Sequence, residues 1–280
     1  MKIKALIENK SNDSKYKTEH GLSIYIDTGL TKILVDTGDS GAFIDNAKEL
    51  DVKIEDVDFV IVSHSHHDHT GGLLKFFERN HKAKLYISKN ANQKVFFRAA
   101  LCFKEDVSTP QEVFTNFTQR ITYVDSFMKI DENIYIVSGF ERKHPIPKTN
   151  NRVLTLKNKT YVKDSFNHEV ALVINNKGRL VILTGCSHNG VDNMIEEVMK
   201  YFPGYPIQIV IGGFHLMSFV LPKYLGEKRK NIVELGKRLL KYNIEKTYTC
   251  HCTGDRGFKI LKGVMGDKIG YFKTGDELEL

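Results

Sequence analysis

The densest chemistry in the chain lies in one run of six residues. His64-Ser65-His66-His67-Asp68-His69 sets four imidazoles and a carboxylate into a single loop. Neutral imidazole and carboxylate are ligands for zinc, iron, manganese or nickel. A packed core has little use for such a cluster. His67 lies between the other candidates and is expected to point away. One loop of this kind supplies only part of two metal shells, so further ligands are expected from elsewhere.

Three later histidines share one local pattern: a short apolar strand, a turn of small residues, then His. His188 lies in Thr184-Gly185-Cys186-Ser187-His188-Asn189-Gly190, after a strand at 180–183. His215 lies in Gly212-Gly213-Phe214-His215-Leu216, after a strand at 207–211. His251 lies in Cys250-His251-Cys252-Thr253-Gly254, after a strand at 246–249. A core histidine more often sits within an element, so all three are expected at the site. His20 reads either as a residue at the pocket mouth or as a loop histidine with no role. His81, His144 and His168 read as surface or supporting residues. Asp36 reads either as a carboxylate that orients the histidine loop or as a turn cap. Cys250-x-Cys252 has no matching second pair, which argues against a Cys₄ structural site.

The elements that must carry these residues are short and mostly apolar. Strands are predicted at 2–8, 22–27, 32–35, 58–63, 85–88, 134–137, 170–174, 180–183, 207–211 and 246–249. Asn175-Asn176-Lys177-Gly178 reads as the turn of a hairpin. Helices are predicted at 43–50, 73–79, 192–201 and 228–242. The histidine loop follows the buried run Phe59-Val60-Ile61-Val62 directly, and strand ends are where α/β folds often place their sites. Residues 90–130 carry no firm period and read as an insertion or lid. Their Phe96, Phe97, Phe103, Phe114 and Phe117 read either as a pocket lining for a ring-bearing substrate or, the preferred reading, as core. A single α/β domain over 1–280, built of two similar β-rich halves, fits this layout.

Bulk composition narrows the function further. The chain has 280 residues, 41% apolar and 27% charged, with a net charge of +7. Its lysines are scattered, and the lack of a dense basic block argues against a nucleic acid partner. No apolar run reaches membrane-spanning length. The first residues lack the apolar core of a signal peptide, so a cytoplasmic address is expected. Cys102, Cys186, Cys250 and Cys252 are too few and too site-bound for a disulfide frame.

The Asp36-Thr37-Gly38 segment, the His64–His69 motif and the later His-bearing strand ends resemble the metallo-β-lactamase superfamily. Glu19-His20-Gly21-Leu22-Ser23 and the His188, His215 and His251 motifs resemble one branch of it. That branch includes enzymes named 7,8-dihydropterin-6-yl-methyl-4-(β-D-ribofuranosyl)aminobenzene 5′-phosphate synthase and others named only metal-dependent hydrolases. The resemblance implies a four-layer αβ/βα sandwich and two divalent ions, zinc first, with iron, manganese or magnesium as alternatives. It implies His64, His66 and His188 at one ion, and Asp68, His69 and His251 at the other. Most members place a bridging Asp where this chain has Cys186. Cys186 therefore has three readings: thiolate ligand, non-ligand, or neighbour that frees the position for His188.

The implied chemistry is hydrolysis by a hydroxide generated on the metal pair, acting on a small anionic substrate that bears a phosphate or diphosphate. Asp68 would orient the hydroxide. His215 or His20 would donate to the substrate or leaving group, with Glu19 beside them. The branch implies an alternative, transfer of a dihydropterin methyl group with diphosphate leaving. Two further alternatives are a nuclease, for which 280 residues leave little room for a basic arm, and a non-catalytic metal sensor.

Overall fold

Residues 1–99, 103–218 and 225–280 are described by a computed structural model. Cys102 lies outside them. Alternation along the strands sends side chains to two faces. Ile3, Ala5, Ile24, Ile26, Ile33 and Val35 face inward to meet Ile134, Ile136, Leu172, Ile174, Val181 and Leu183 of a second sheet. Burying one such side chain contributes roughly 1.5–3 kcal/mol, so this interface is a main source of stability.

The opposite faces are covered by helices. Ala42–Glu49, Leu73–Arg79 and Gln111–Asn116 pack on the first sheet through Phe43, Ala47, Phe76, Phe77, Val113 and Phe114. Val191–Tyr201, Arg229–Leu239 and Gly254–Met265 pack on the second through Met194, Ile195, Ile232, Leu235 and Leu261. The result is the expected four-layer αβ/βα sandwich. No helix among the described residues is long and apolar enough to cross a membrane.

Each main sheet has seven strands. The first runs Glu277–Glu279, Lys2–Ile7, Ser23–Asp27, Lys32–Val35, Phe59–Ile61, Lys84–Ser88, Ile121–Val124. The second runs Ile269–Tyr271, Ile244–Thr249, Ile207–Gly212, Arg179–Leu183, Val170–Asn176, Ile134–Ser138, Met128–Asp131. Each contains an antiparallel part and a parallel part. The parallel parts matter for function. Asp36, the histidine loop, the 185–188 turn, the 213–215 turn and His251 all follow the carboxyl ends of parallel strands.

A third sheet, Thr160–Lys163, Val153–Lys157, Val95–Arg98, Lys104–Asp106, is wholly antiparallel. It is pinned to the histidine loop: the His67 N–H donates to Val107 O at 2.8 Å, and the Thr109 N–H to Ser65 O at 3.1 Å. The segment 90–130 therefore divides. Val95–Arg98 and Lys104–Asp106 join this sheet, whereas Val113 and Phe114 enter the core and Phe117 stacks on Phe77 at 4.3 Å. Phe103 is exposed.

Candidate metal centre

Two groups of potential metal ligands face each other at the shared edge of the main sheets. His64, His66 and His188 offer ligand atoms that all lie within 4.8 Å of one another. Their three Nε2 atoms are buried and have no hydrogen-bond partner among the described residues. Leaving one buried polar atom unsatisfied costs roughly 1–3 kcal/mol. Three such atoms aimed at one point fit a cation of the zinc type. Asp68, His69, Cys186 and His251 form the second group, within the same 4.8 Å limit. Cys186 Sγ lies 3.3 Å from His69 Nε2, and Asp68 Oδ2 lies 3.1 Å from His251 Nε2.

The other ring nitrogen of His64, His69, His188 and His251 is held from behind, which fixes the ring. Asp36 Oδ2 meets His69 Nδ1 at 2.6 Å and accepts from the Ser63 hydroxyl at 2.7 Å, while its Oδ1 accepts from the Ser63 N–H. Ser63 Oγ also reaches His64 Nδ1 at 2.9 Å. Asn150 Oδ1 meets His188 Nδ1 at 2.9 Å, and Asn9 Oδ1 meets His251 Nδ1 at 2.8 Å. Two buried carboxylates hold the backbone of the same late histidines. Glu169 accepts from the His188 N–H and Glu8 from the His251 N–H. Gly185 allows the two halves to close, because a Cβ there would sit 2.1 Å from Ser63 Oγ.

The two groups differ in charge. Burial, reinforced by neighbouring imidazoles, holds His64 and His188 well below the ordinary histidine range and lowers His66 to about 3. These rings are neutral, as metal ligation requires. Burial opposes a charge on His69, but Asp36 and Asp68 outweigh it and push that group up to about 9. Burial also opposes ionisation of Asp68, yet His69, His251 and His20 hold its carboxyl well below the usual range.

A cavity of about 300 Å³ opens over both groups. Its floor is His66, Asp68, Cys186 and His215, with His20, Asp39 and His67 at one side. The third sheet contributes Phe97, Val107 and Val153. Among the described lining residues there is no Lys or Arg.

Of the residues read from the sequence, His64, His66, His188, Asp68, His69, His251 and Cys186 come together in these two groups. His20 Nε2 lies 3.4 Å from Asp68 Oδ2 at the cavity rim. His215 lies on the floor, its ring 4.1 Å from that of His188. His67 stands outside both groups, 2.8 Å from Asp39. Glu19, expected beside the substrate, is not among the described residues that line the cavity. Its carboxylate accepts from the Asp39 and Ser40 N–H groups and the Ser40 hydroxyl, so it builds the turn at 38–40 instead. His168 takes the supporting reading and not the surface one: it is fully buried behind the first group, accepting from the Ser65 N–H and paired with Asp164 at 3.2 Å. Glu8, Asn9, Asn150 and Glu169 were not anticipated. Only Glu8 and Asn9 carried a signal, as polar residues directly after an apolar strand.

Comparison with known proteins agrees with this geometry. Residues 17–137 match the family model described as the metallo-beta-lactamase superfamily. The chain is 28% identical to the 7,8-dihydropterin-6-methyl-4-(beta-D-ribofuranosyl)-aminobenzene-5'-phosphate synthase of Methanocaldococcus jannaschii, covering 91% of this chain and 88% of that protein. It is 27% identical to a solved metal-dependent hydrolase of the beta-lactamase superfamily, with a TM-score of 0.83, covering 100% of this chain and 99% of the other. The short form of human tRNase Z shares the fold at 10% identity and a TM-score of 0.54, covering 100% and 99% of the two chains. A strand-end histidine loop, facing ligand groups from two β-rich halves and full-length structural similarity together make this chain similar to the metallo-β-lactamase superfamily in motif, site layout and fold.

Proposed function

We propose that the chain is a metal-dependent hydrolase that uses two divalent ions, zinc first among candidates, on a small substrate bearing a phosphoryl or carbonyl oxygen. The observation that carries this reading is the pair of facing ligand groups, one of neutral imidazoles and one that includes a carboxylate, beneath a single cavity. Cations held there supply Lewis acidity and lower the pKa of water from ~16 to about 7 in the zinc case.

The chain's own groups divide the remaining work. Asp68 is ionised, and its Oδ2 lies near both His251 and His20, so it can orient a water and accept its proton at Oδ2. His20 at the rim can relay that proton to solvent. His215, on the floor beside Cys186, can donate to a leaving oxygen. Phe97, Val107 and Val153 form an apolar wall against which the non-reacting part of a substrate can pack. With no Lys or Arg in the described lining, and with Asp39, Asp68, Glu105 and Asp106 in it, an anionic substrate has only bound cations and the histidines as attractive partners.

A second reading is transfer of a dihydropterin methyl group to an aromatic amine, with diphosphate leaving. The similarity to the archaeal synthase over 91% of the chain supports it. Elemental analysis of the purified protein beside Asp68→Ala tests the common premise. About two transition-metal ions per chain are expected, falling in the variant. One ion or none, unchanged in the variant, would remove the dinuclear reading. Product analysis on phosphoesters, lactones and pterin diphosphates then separates hydrolysis from transfer, since only transfer joins the amine to the product.

A further inference from the structure

Two motifs are not used up by the dinuclear centre: the Gly212-Gly213-Phe214-His215 turn and Cys252. They meet each other. Cys252 is fully buried, and its Sγ accepts the His215 N–H at 3.2 Å. A Cβ on Gly213 would lie 2.4 Å from that sulfur, so only glycine lets the turn close over it. Thr253 Oγ1 accepts from the Phe214 N–H at 2.8 Å, and the Thr149 hydroxyl donates to His215 O at 2.7 Å. The turn is also strained. His215 has φ 49°, in the left-handed region, which costs a residue other than glycine on the order of 1 kcal/mol.

All of this brings the His215 imidazole to a pair of thiols. Cys186 Sγ, Cys252 Sγ and a His215 ring nitrogen lie within 4.8 Å of one another, and all three residues are buried. Buried cysteines often serve only as small apolar side chains. Cys250 does so here, packed in the apolar layer between the sheets. Cys252 differs, with a backbone donor aimed at its sulfur, a glycine kept clear of it and an imidazole beside it. Zinc takes sulfur at about 2.3 Å and imidazole nitrogen at about 2.0–2.1 Å, so the three atoms need close only slightly to share one ion.

We propose that Cys186, Cys252 and His215 form a third ligand set, one that takes a thiophilic cation such as zinc, cadmium or copper(I). Cys186 stands between this set and Asp68, His69 and His251, so the two compete for one thiolate. An imidazole can ligate through one nitrogen and donate through the other, so His215 can serve this set while facing the cavity. The inference needs neither the His64 group nor Asp68, and stands apart from the dinuclear reading.

The test uses the full chain, stripped of metal and given less than one equivalent of cadmium, with X-ray absorption counting sulfurs around the ion. Two sulfurs are expected in the unaltered protein and in His64→Ala and Cys250→Ser, and one in Cys186→Ser and Cys252→Ser. His215→Ala should keep both sulfurs but bind cadmium at least about tenfold more weakly. One sulfur or none in the unaltered protein overturns the proposal, as do two sulfurs that persist in Cys252→Ser. The count on the unaltered protein decides even where a cysteine variant fails to fold. A lost dinuclear centre would register separately, as a His64→Ala protein with unchanged total metal.

Discussion

Imidazoles in this centre come in two protonation states, and cation uptake must treat them differently. His64, His66 and His188 are already neutral near pH 7. His69, pushed up to about 9, holds a proton that must leave before its Nε2 can ligate. Uptake by the first group should therefore be nearly independent of pH above about 6.5. Uptake by the second should release a proton and tighten as pH rises toward about 9. Calorimetric titrations in two buffers of unlike ionisation enthalpy measure this directly, and an absence of proton release near pH 7 would count against it. Asn9 offers a second handle. It touches His251 through Oδ1 and His20 through Nδ2. Asn9→Ala should weaken the second ion by roughly 10–100-fold and leave the first almost unchanged, as read by competition with a chelating dye. The ligand histidines were legible because histidine is scarce and their spacing is distinctive. Asn9, Asn150, Glu8 and Glu169 were not, since common polar residues at unrelated positions carry no such mark.

The elements were legible in proportion to their burial. Ile207–Gly212 is buried along its whole length and reads as a strand from composition alone. Thr160–Lys163 is exposed at every position, and Lys104–Asp106 is wholly charged, so neither shows the alternation that betrays a strand. Gly254–Met265 escaped notice for another reason. Gly254, Gly257 and Gly263 each lower helix propensity by about 1 kcal/mol, and tertiary packing overrides that: an added Cβ at Gly257 would stand only 3.2 Å from Leu216. The third sheet is the element with most bearing on specificity, since it brings Phe97 and Val107 to the cavity. Phe97→Ala should raise KM several-fold while changing kcat less, because this wall lies away from the reacting end. A fall in kcat at constant KM would instead assign Phe97 to the chemistry.

At the scale of the whole molecule, each ligand group is drawn from both halves. The first takes His64 and His66 from one half and His188 from the other. The second takes Asp68 and His69 from one half, Cys186 and His251 from the other. The inter-sheet core already joins the halves, and bound cations would add to it. A ligand that binds only the folded state stabilises it by about 2.7 kcal/mol at a hundred times its Kd. Zinc should therefore raise the melting temperature of the metal-free protein, and the rise should shrink in His188→Ala. A melting temperature indifferent to zinc would mean that the ligand groups do not hold ions in the folded state. The two β-rich halves were legible from the strand and helix runs and the four-layer architecture from the family resemblance, whereas the pairing of ligands across halves depends on strand order, which no local pattern encodes.

The contacts of Glu8 and Asn9 with His251 span 243 and 242 positions of the chain. A growing polypeptide presents His64, His66 and His188 well before His251 is made. The first group can thus capture an ion while synthesis continues, whereas the second must wait for the strand at Lys2–Ile7 to receive its last neighbours. If both groups hold ions, loading is expected to follow that order, and under metal shortage chains with the first ion alone should accumulate before chains with two.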